Sequence, residues 1–211
     1  MNKLGTRFLC MIGIGAAMVL GYPCHAADAP AKAPATLDNL MKAFDGESNA
    51  NARYLAFAKK ADEEGYGQVA SLFRAAAAAE EIHLKSHAEV IKKMGGAPKA
   101  DIKAPEVKST KENVEAALKG ESYERDTMYP EFIDVAKKEN KNDAVRTFNH
   151  AKGAEAEHVK LYQEALNNLD KWKDGKKDFY VCSECGNTVV TLSFAKCPIC
   201  GNSKENFKKI N

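Results

Sequence analysis

The sequence predicts an all-α four-helix bundle with one long crossover, followed by a small β-rich metal domain. Three observations predict it. Residues 36–172 are rich in Ala, Glu and Lys, with apolar residues at helical spacing. The segment contains two tight turns and one long connection, the pattern of two helical hairpins joined end to end. After Trp172 the composition changes, and Cys182, Cys185, Cys197 and Cys200 crowd into a short C-terminal stretch.

The first helix is expected over 37–64, opened by Thr36 and closed at Gly65-Tyr66-Gly67. The second spans 68–94 and stops at Gly95-Gly96-Ala97-Pro98. Residues 95–108 lack helical periodicity. The third helix starts at Ser109, whose Ser-x-x-Glu to Glu112 is a capping box, and runs to Asn140 with a kink at Pro130. The fourth covers 143–171. A bundle with one long crossover is the ferritin-like arrangement. A repeat supports it. One constant shift lays Tyr129 on Tyr54, Phe132 on Phe57, Glu139 on Glu64, Phe148 on Phe73, Glu155 on Glu80 and His158 on His83. Two copies of one hairpin would pack about a pseudo-two-fold axis. Residues 173–178 read as a short flexible linker. Residues 179–211 form a domain too small to fold on its apolar core alone, so a metal must hold it.

At the front, Lys3 and Arg7 precede an unbroken apolar run over 8–20, and Cys24-His25-Ala26 ends in small residues. This predicts a signal peptide over 1–26, cleaved after Ala26, and an exported, periplasmic protein. The run is short for a membrane span, so no stable span is expected after cleavage; an uncleaved anchor is the alternative. Residues 27–35 form an Ala/Pro tether. Lys3 and Arg7 account for the formal net charge of +2, leaving the remainder neutral. That excludes a basic protein that coats nucleic acid.

Two constellations carry chemistry. The first is Glu80-x-x-His83 with Glu155-x-x-His158. Residues three apart share a helix face, so each pair grips one side of a metal. Glu47 and Glu121-x-x-Glu124 come from the other two helices. Burying so many carboxylates requires neutralising cations, and this donor set suits iron or manganese. Tyr54 and Tyr129, two turns beyond Glu47 and Glu121, are expected to hydrogen-bond the metal carboxylates. His87 is read as a polar residue at a helix end and His150 as exposed. Trp172 is read as packing the domain junction. The second constellation is Cys182-x-x-Cys185-Gly186 with Cys197-x-x-Cys200-Gly201. This spacing makes a four-thiolate site for iron or zinc, with two disulfides as the alternative in an oxidising compartment.

On Gly46-Glu47-Ser48, Glu80-Glu81-Ile82-His83, Gly120-Glu121-Ser122-Tyr123-Glu124, Met128-Tyr129-Pro130, Glu155-x-x-His158 and the two CxxCG turns, residues 37–211 resemble the rubrerythrin family. The resemblance implies a ferritin-like di-iron bundle followed by a rubredoxin-like domain: two iron ions plus one in the four-cysteine site. It implies that Glu80 and Glu155 bridge the irons, that Glu47 with His83 serves one and Glu121 with His158 the other, and that Glu124 replaces His83 on oxidation. It also implies reduction of hydrogen peroxide to water, with electrons relayed through the four-cysteine iron. Asn187 departs from the family, which often has Tyr after this glycine. The signal departs too, since many members are cytoplasmic, so the electron donor would be an exported redox carrier.

The alternatives are a ferroxidase or iron-binding protein, and an electron carrier. A last expectation concerns distance. A helix of 25–28 residues is roughly 40 Å long, so a domain at the bundle end would lie about 20 Å from metals at its middle. That predicts a homodimer or higher oligomer in which electrons cross between subunits.

Overall fold

The structure is a computed structural model describing residues 35–211. The expected signal and all but the last residue of the tether lie outside the described residues. α1 spans Ala35–Glu63, α2 Gly67–Lys93, α3 Thr110–Tyr123, α4 Tyr129–Lys138 and α5 Asn142–Asn167. α3 and α4 form one bundle helix joined by a π-helical turn, Glu124–Met128, and the long crossover separates α2 from α3. Strands β1 (Phe179–Cys182), β2 (Thr188–Val189) and β3 (Phe207–Ile210) form an antiparallel sheet in the order β2-β1-β3. No helix among the described residues is long and apolar enough to cross a membrane.

The hairpins close in the same way. Gly65 and Asn140, which the repeat lays on each other, both take positive φ. The next N–H, of Tyr66 or Lys141, donates back to Ala61 or Ala136 at 2.8 and 2.9 Å. This is the Schellman ending, whose left-handed residue is usually Gly and sometimes Asn. Each hairpin also caps the other. Glu64 accepts from the Thr110 N–H and hydroxyl at 2.7 Å, and Glu139 accepts from the Ala35 and Thr36 N–H groups at 3.0 Å. The Ser109–Glu112 capping box forms as expected.

The third helix does not simply kink at Pro130. The Tyr129 N–H donates to the Glu124 carbonyl, a bond one residue longer than the α pattern. The sequence holds the reason. The spacing from Glu121 to Tyr129 is one residue longer than that from Glu47 to Tyr54. The π turn absorbs the extra residue, so both Glu and Tyr still face inward.

Two apolar clusters flank the bundle centre. One holds Phe57 and Phe73 with ring centroids 5.4 Å apart, the other Phe132 and Phe148 at 5.6 Å. The small domain is not tethered loosely at one end. Phe179 and Val181 of β1 join the first cluster, with Trp172 at the junction, 6.3 Å from Phe179. The linker lies along the start of α2: Asp174 N–H donates to the Gly65 carbonyl, Lys177 N–H to the Ser71 hydroxyl, and a Cβ on Gly67 would sit 1.9 Å from the Gly175 oxygen. The expectation of a flexible linker is therefore corrected.

Candidate metal centres

Glu47 on α1, Glu80 and His83 on α2, Glu121 on α3, and Glu155 and His158 on α5 meet in the bundle centre, each at most 2 % exposed. They form two overlapping groups. Glu47, Glu80, His83 and Glu155 present ligand atoms within 4.8 Å of one another, as do Glu80, Glu121, Glu155 and His158. Glu80 and Glu155 are common to both. His83 Nδ1 lies 2.8 Å from Glu80 and 3.1 Å from Glu155; His158 Nδ1 lies 2.8 Å from Glu155 and 3.2 Å from Glu121. Glu124 stands apart from both groups. It is half-buried in the π turn and lines a cleft of about 490 Å³ with Arg53 and the crossover residues Lys103–Glu106.

The outward ring nitrogens fix the inward ones. His83 Nε2 lies 3.1 Å from the Cys185 carbonyl, and His158 Nε2 lies 3.0 Å from the Thr188 hydroxyl oxygen. That hydroxyl already donates to the Gly186 carbonyl at 3.0 Å, so it accepts from His158. Both imidazoles thus carry hydrogen on Nε2 and turn Nδ1 toward the carboxylates, the orientation a metal ligand needs. The Tyr54 hydroxyl donates to Glu121 at 2.6 Å, and the Tyr129 hydroxyl donates to Glu47. Each tyrosine therefore serves the carboxylate of the opposite hairpin.

The electrostatics ask for cations. Burial, then the Glu155 and Glu121 charges, push Glu80 up to about 8. Burial also raises Glu47, Glu155 and Glu124 well above the usual carboxylate range. Burial acts on Glu121 too, but the His158 charge and hydrogen bonds outweigh it and hold the group at about 2. Burial opposes charge on His83 and His158, yet the surrounding carboxylates raise both. Glu47 Oε2, Glu80 Oε1 and both Glu155 oxygens are buried without a hydrogen-bond partner. Two divalent ions would neutralise the four carboxylates and give those oxygens partners. The residues fit a two-metal centre.

The four cysteines are free. Cys182 and Cys200 sulfurs lie 3.7 Å apart and Cys185 and Cys197 sulfurs 3.6 Å. A tetrahedral site with metal–sulfur bonds of about 2.3 Å has edges of roughly 3.8 Å. The spacing fits one metal ion, and the disulfide alternative is not adopted. The knuckles match: Gly186 and Gly201 take positive φ, and their N–H groups donate to Cys182 and Cys197 carbonyls at 2.9 Å. Asn187, fully buried, donates its amide to Cys197 Sγ at 3.6 Å.

Three expectations are corrected. His87 is no helix-end residue: it is fully buried, with Nε2 3.2 Å from the Tyr129 hydroxyl and Nδ1 3.0 Å from that of Thr147. Burial pushes it down to about 3, so it is neutral. His150 is half-buried, with Glu184 of the small domain raising it against the burial that lowers it. The four-cysteine site does not lie at a bundle end, since Cys185 touches His83 in the same chain. Thr147, Thr188, Arg53 and Tyr162 escaped sequence reading. Only Tyr162 left a trace, standing where the repeat places the counterpart of His87.

A ferritin-like bundle with a shared carboxylate–imidazole cage and a docked four-thiolate domain defines a class of oxidoreductase with two kinds of metal centre. The comparisons with known proteins agree. The matching family description is Rubrerythrin, over residues 38–166. Nigerythrin of Nitratidesulfovibrio vulgaris is 41% identical over 182 residues, covering 86% of this chain and 89% of the relative. Rubrerythrin-2 of Clostridium acetobutylicum is 35% identical, covering 82% and 95%. The solved structure of fully reduced, all-ferrous nigerythrin superposes with a TM-score of 0.77 at 39% identity, covering 87% of this chain and 91% of that one. The chain belongs to the rubrerythrin family, and its cofactors are two iron ions in the bundle and one in the four-cysteine site.

Proposed function

We propose that the protein is a non-haem di-iron peroxidase that reduces hydrogen peroxide to water in defence against oxidative stress. Electrons reach the bundle through the four-cysteine iron. The observation that carries this reading is the contact between His83 Nε2 and the Cys185 carbonyl at 3.1 Å. One hydrogen bond joins a ligand residue of one centre to a ligand residue of the other. A protein that only stored or oxidised iron would have little use for a fused one-electron relay.

When bound, the paired irons supply the two electrons peroxide reduction consumes, and the third iron returns them singly. The chain's own residues do the rest. Glu47, Glu80, His83, Glu121, Glu155 and His158 hold the pair, with Glu80 and Glu155 shared. The Cys185 carbonyl and Thr188 hydroxyl keep each Nδ1 facing inward. Tyr54 and Tyr129 stop the terminal carboxylates from rotating. The cleft beside Arg53 and Glu124 is the route by which peroxide enters. Glu124 lines this cleft outside the two ligand groups, and burial, then the Glu47 and Glu121 charges, raises its carboxyl. The two protons consumed with each peroxide pass through this polar wall.

Residues 1–26 carry the proposal of export to the periplasm, with an exported redox carrier as donor. Homo-oligomers are proposed from the family alone; an electron path within one chain does not need one. The test is to mix fully reduced protein with hydrogen peroxide or with oxygen. Rapid peroxide consumption with slow oxygen consumption is expected. Rapid oxygen consumption with little peroxide reaction would return the protein to the ferroxidase reading.

A further inference from the structure

The two hairpins are near copies, and one departure from the copy bears on the metals. Tyr129 has ring centroids of Phe132, Phe148 and His87 at 6.5, 5.9 and 6.1 Å. Tyr54 has those of Phe57, Phe73 and Tyr162 at 6.3, 6.0 and 6.0 Å. The pseudo-two-fold axis therefore carries His87 onto Tyr162. The same fully buried slot holds an imidazole in one half and a phenol in the other. His87 is hydrogen-bonded at both ring nitrogens, whereas the Tyr162 hydroxyl has no partner.

Chemistry fixes the direction of the His87 bonds. The Tyr129 hydroxyl donates to a Glu47 carboxylate oxygen, so its own oxygen is left to accept from His87 Nε2–H. A neutral imidazole protonated at Nε2 has a bare Nδ1, into which the Thr147 hydroxyl donates. Three donors thus point one way, from Thr147 to His87 to Tyr129 to Glu47. Each polarises the next. At the other end of the cage, Tyr54 donates to Glu121, and Tyr162 in the matching slot adds no hydrogen bond behind it.

We propose that His87 is a positioning residue for the metal ion held by Glu47 and His83, acting through Tyr129, so that the two metal positions of the bundle are not equivalent. The inference rests on the two-metal reading of the cage. It requires no direct contact between His87 and the metal: the imidazole fixes the phenol, and the phenol fixes the carboxylate.

The test uses the full chain with its four-cysteine iron retained and its bundle centre emptied by a chelator. Ferrous iron is titrated in without oxygen. The unaltered chain should take up two ions. His87→Leu should weaken one of them by about 10- to 100-fold, the usual effect of losing a hydrogen-bond partner behind a metal ligand, and leave the other unchanged. Tyr129→Phe should weaken the same ion. In the Tyr129→Phe background, His87→Leu should cost nothing further. Tyr162→Phe should leave both ions as they were, because its hydroxyl makes no hydrogen bond. Should His87→Leu fail to fold, Thr147→Val removes only the donor to Nδ1, and a smaller loss at one ion is expected. Two ions bound as tightly by His87→Leu as by the unaltered chain would overturn the inference. So would equal weakening of both ions, or additive losses in the double variant. An unaltered chain that binds no second ion would instead overturn the two-metal reading itself.

Discussion

Single atoms decide whether the two centres touch. Gly186 has φ +74°, and a Cβ there would lie 2.4 Å from His83 Nε2. Both the backbone and the space demand glycine. Gly186→Ala should therefore push the knuckle off the imidazole and cost at least about 1 kcal/mol of stability. Both metal centres should still load, but re-reduction of the bundle irons through the four-cysteine site should slow. Equal rates for the two proteins in a stopped-flow experiment would show that the His83–Cys185 bond is not the path. Asn187 acts on the other centre. Its amide hydrogen bond to Cys197 Sγ stabilises charge on sulfur and so favours the reduced iron. Asn187→Leu should lower the midpoint potential, measurable by redox titration of the visible absorption.

Helix ends and register follow from the sequence, and here it was largely legible. The Gly65 stop, the Ser109 capping box and the inward-facing Glu-x-x-His pairs rest on local chemistry that a linear pattern records. The caps between hairpins were not legible, because Glu64 and Thr110 meet only after the bundle closes. Hydrogen bonds from Thr110, first from its hydroxyl and then from its N–H, hold the Glu64 carboxyl below its ordinary value. A lowered carboxyl stabilises the fold above its unfolded pKa, and the gain fades as pH falls through the lowered folded value. Glu64→Ala should cost no more than about 1 kcal/mol at neutral pH, since the carboxylate is partly solvated. Denaturant melts should show the gap closing in acid. A gap that persists in acid would assign the loss to packing instead. The π turn was recorded too, as the single extra residue between Glu121 and Tyr129, but Pro130 drew the kink to itself. His87 was misread because its helix runs on into the core of the other hairpin. Its match to Tyr162 under the repeat was the available sign.

At the scale of the molecule, the sequence located both metal centres but not their separation. The expected distance of about 20 Å treated the small domain as hanging from the last helix turn. It omitted the apolar faces of Phe179 and Val181, which are buried only by folding the sheet back onto the bundle. The linker follows α2 to allow this, and the glycine pair Gly67 and Gly175 lets the two backbones pass. The docked position removes the distance on which the expectation of transfer between subunits rested. The chain lays its own Cys185 against its own His83, so the electron path proposed above needs no second subunit. Glu80→Ala should lose the bundle irons and keep the red four-cysteine centre, and Cys197→Ser should do the opposite. Neither should turn over peroxide with an electron donor. Mixed under conditions of proven subunit exchange, the two variants should remain inactive, because no chain in the mixture holds both centres. Turnover per unaltered chain should also be independent of dilution. Recovery of activity in the mixture would show that the small domain reaches a neighbouring bundle, with the same His83–Cys185 contact made between chains rather than within one.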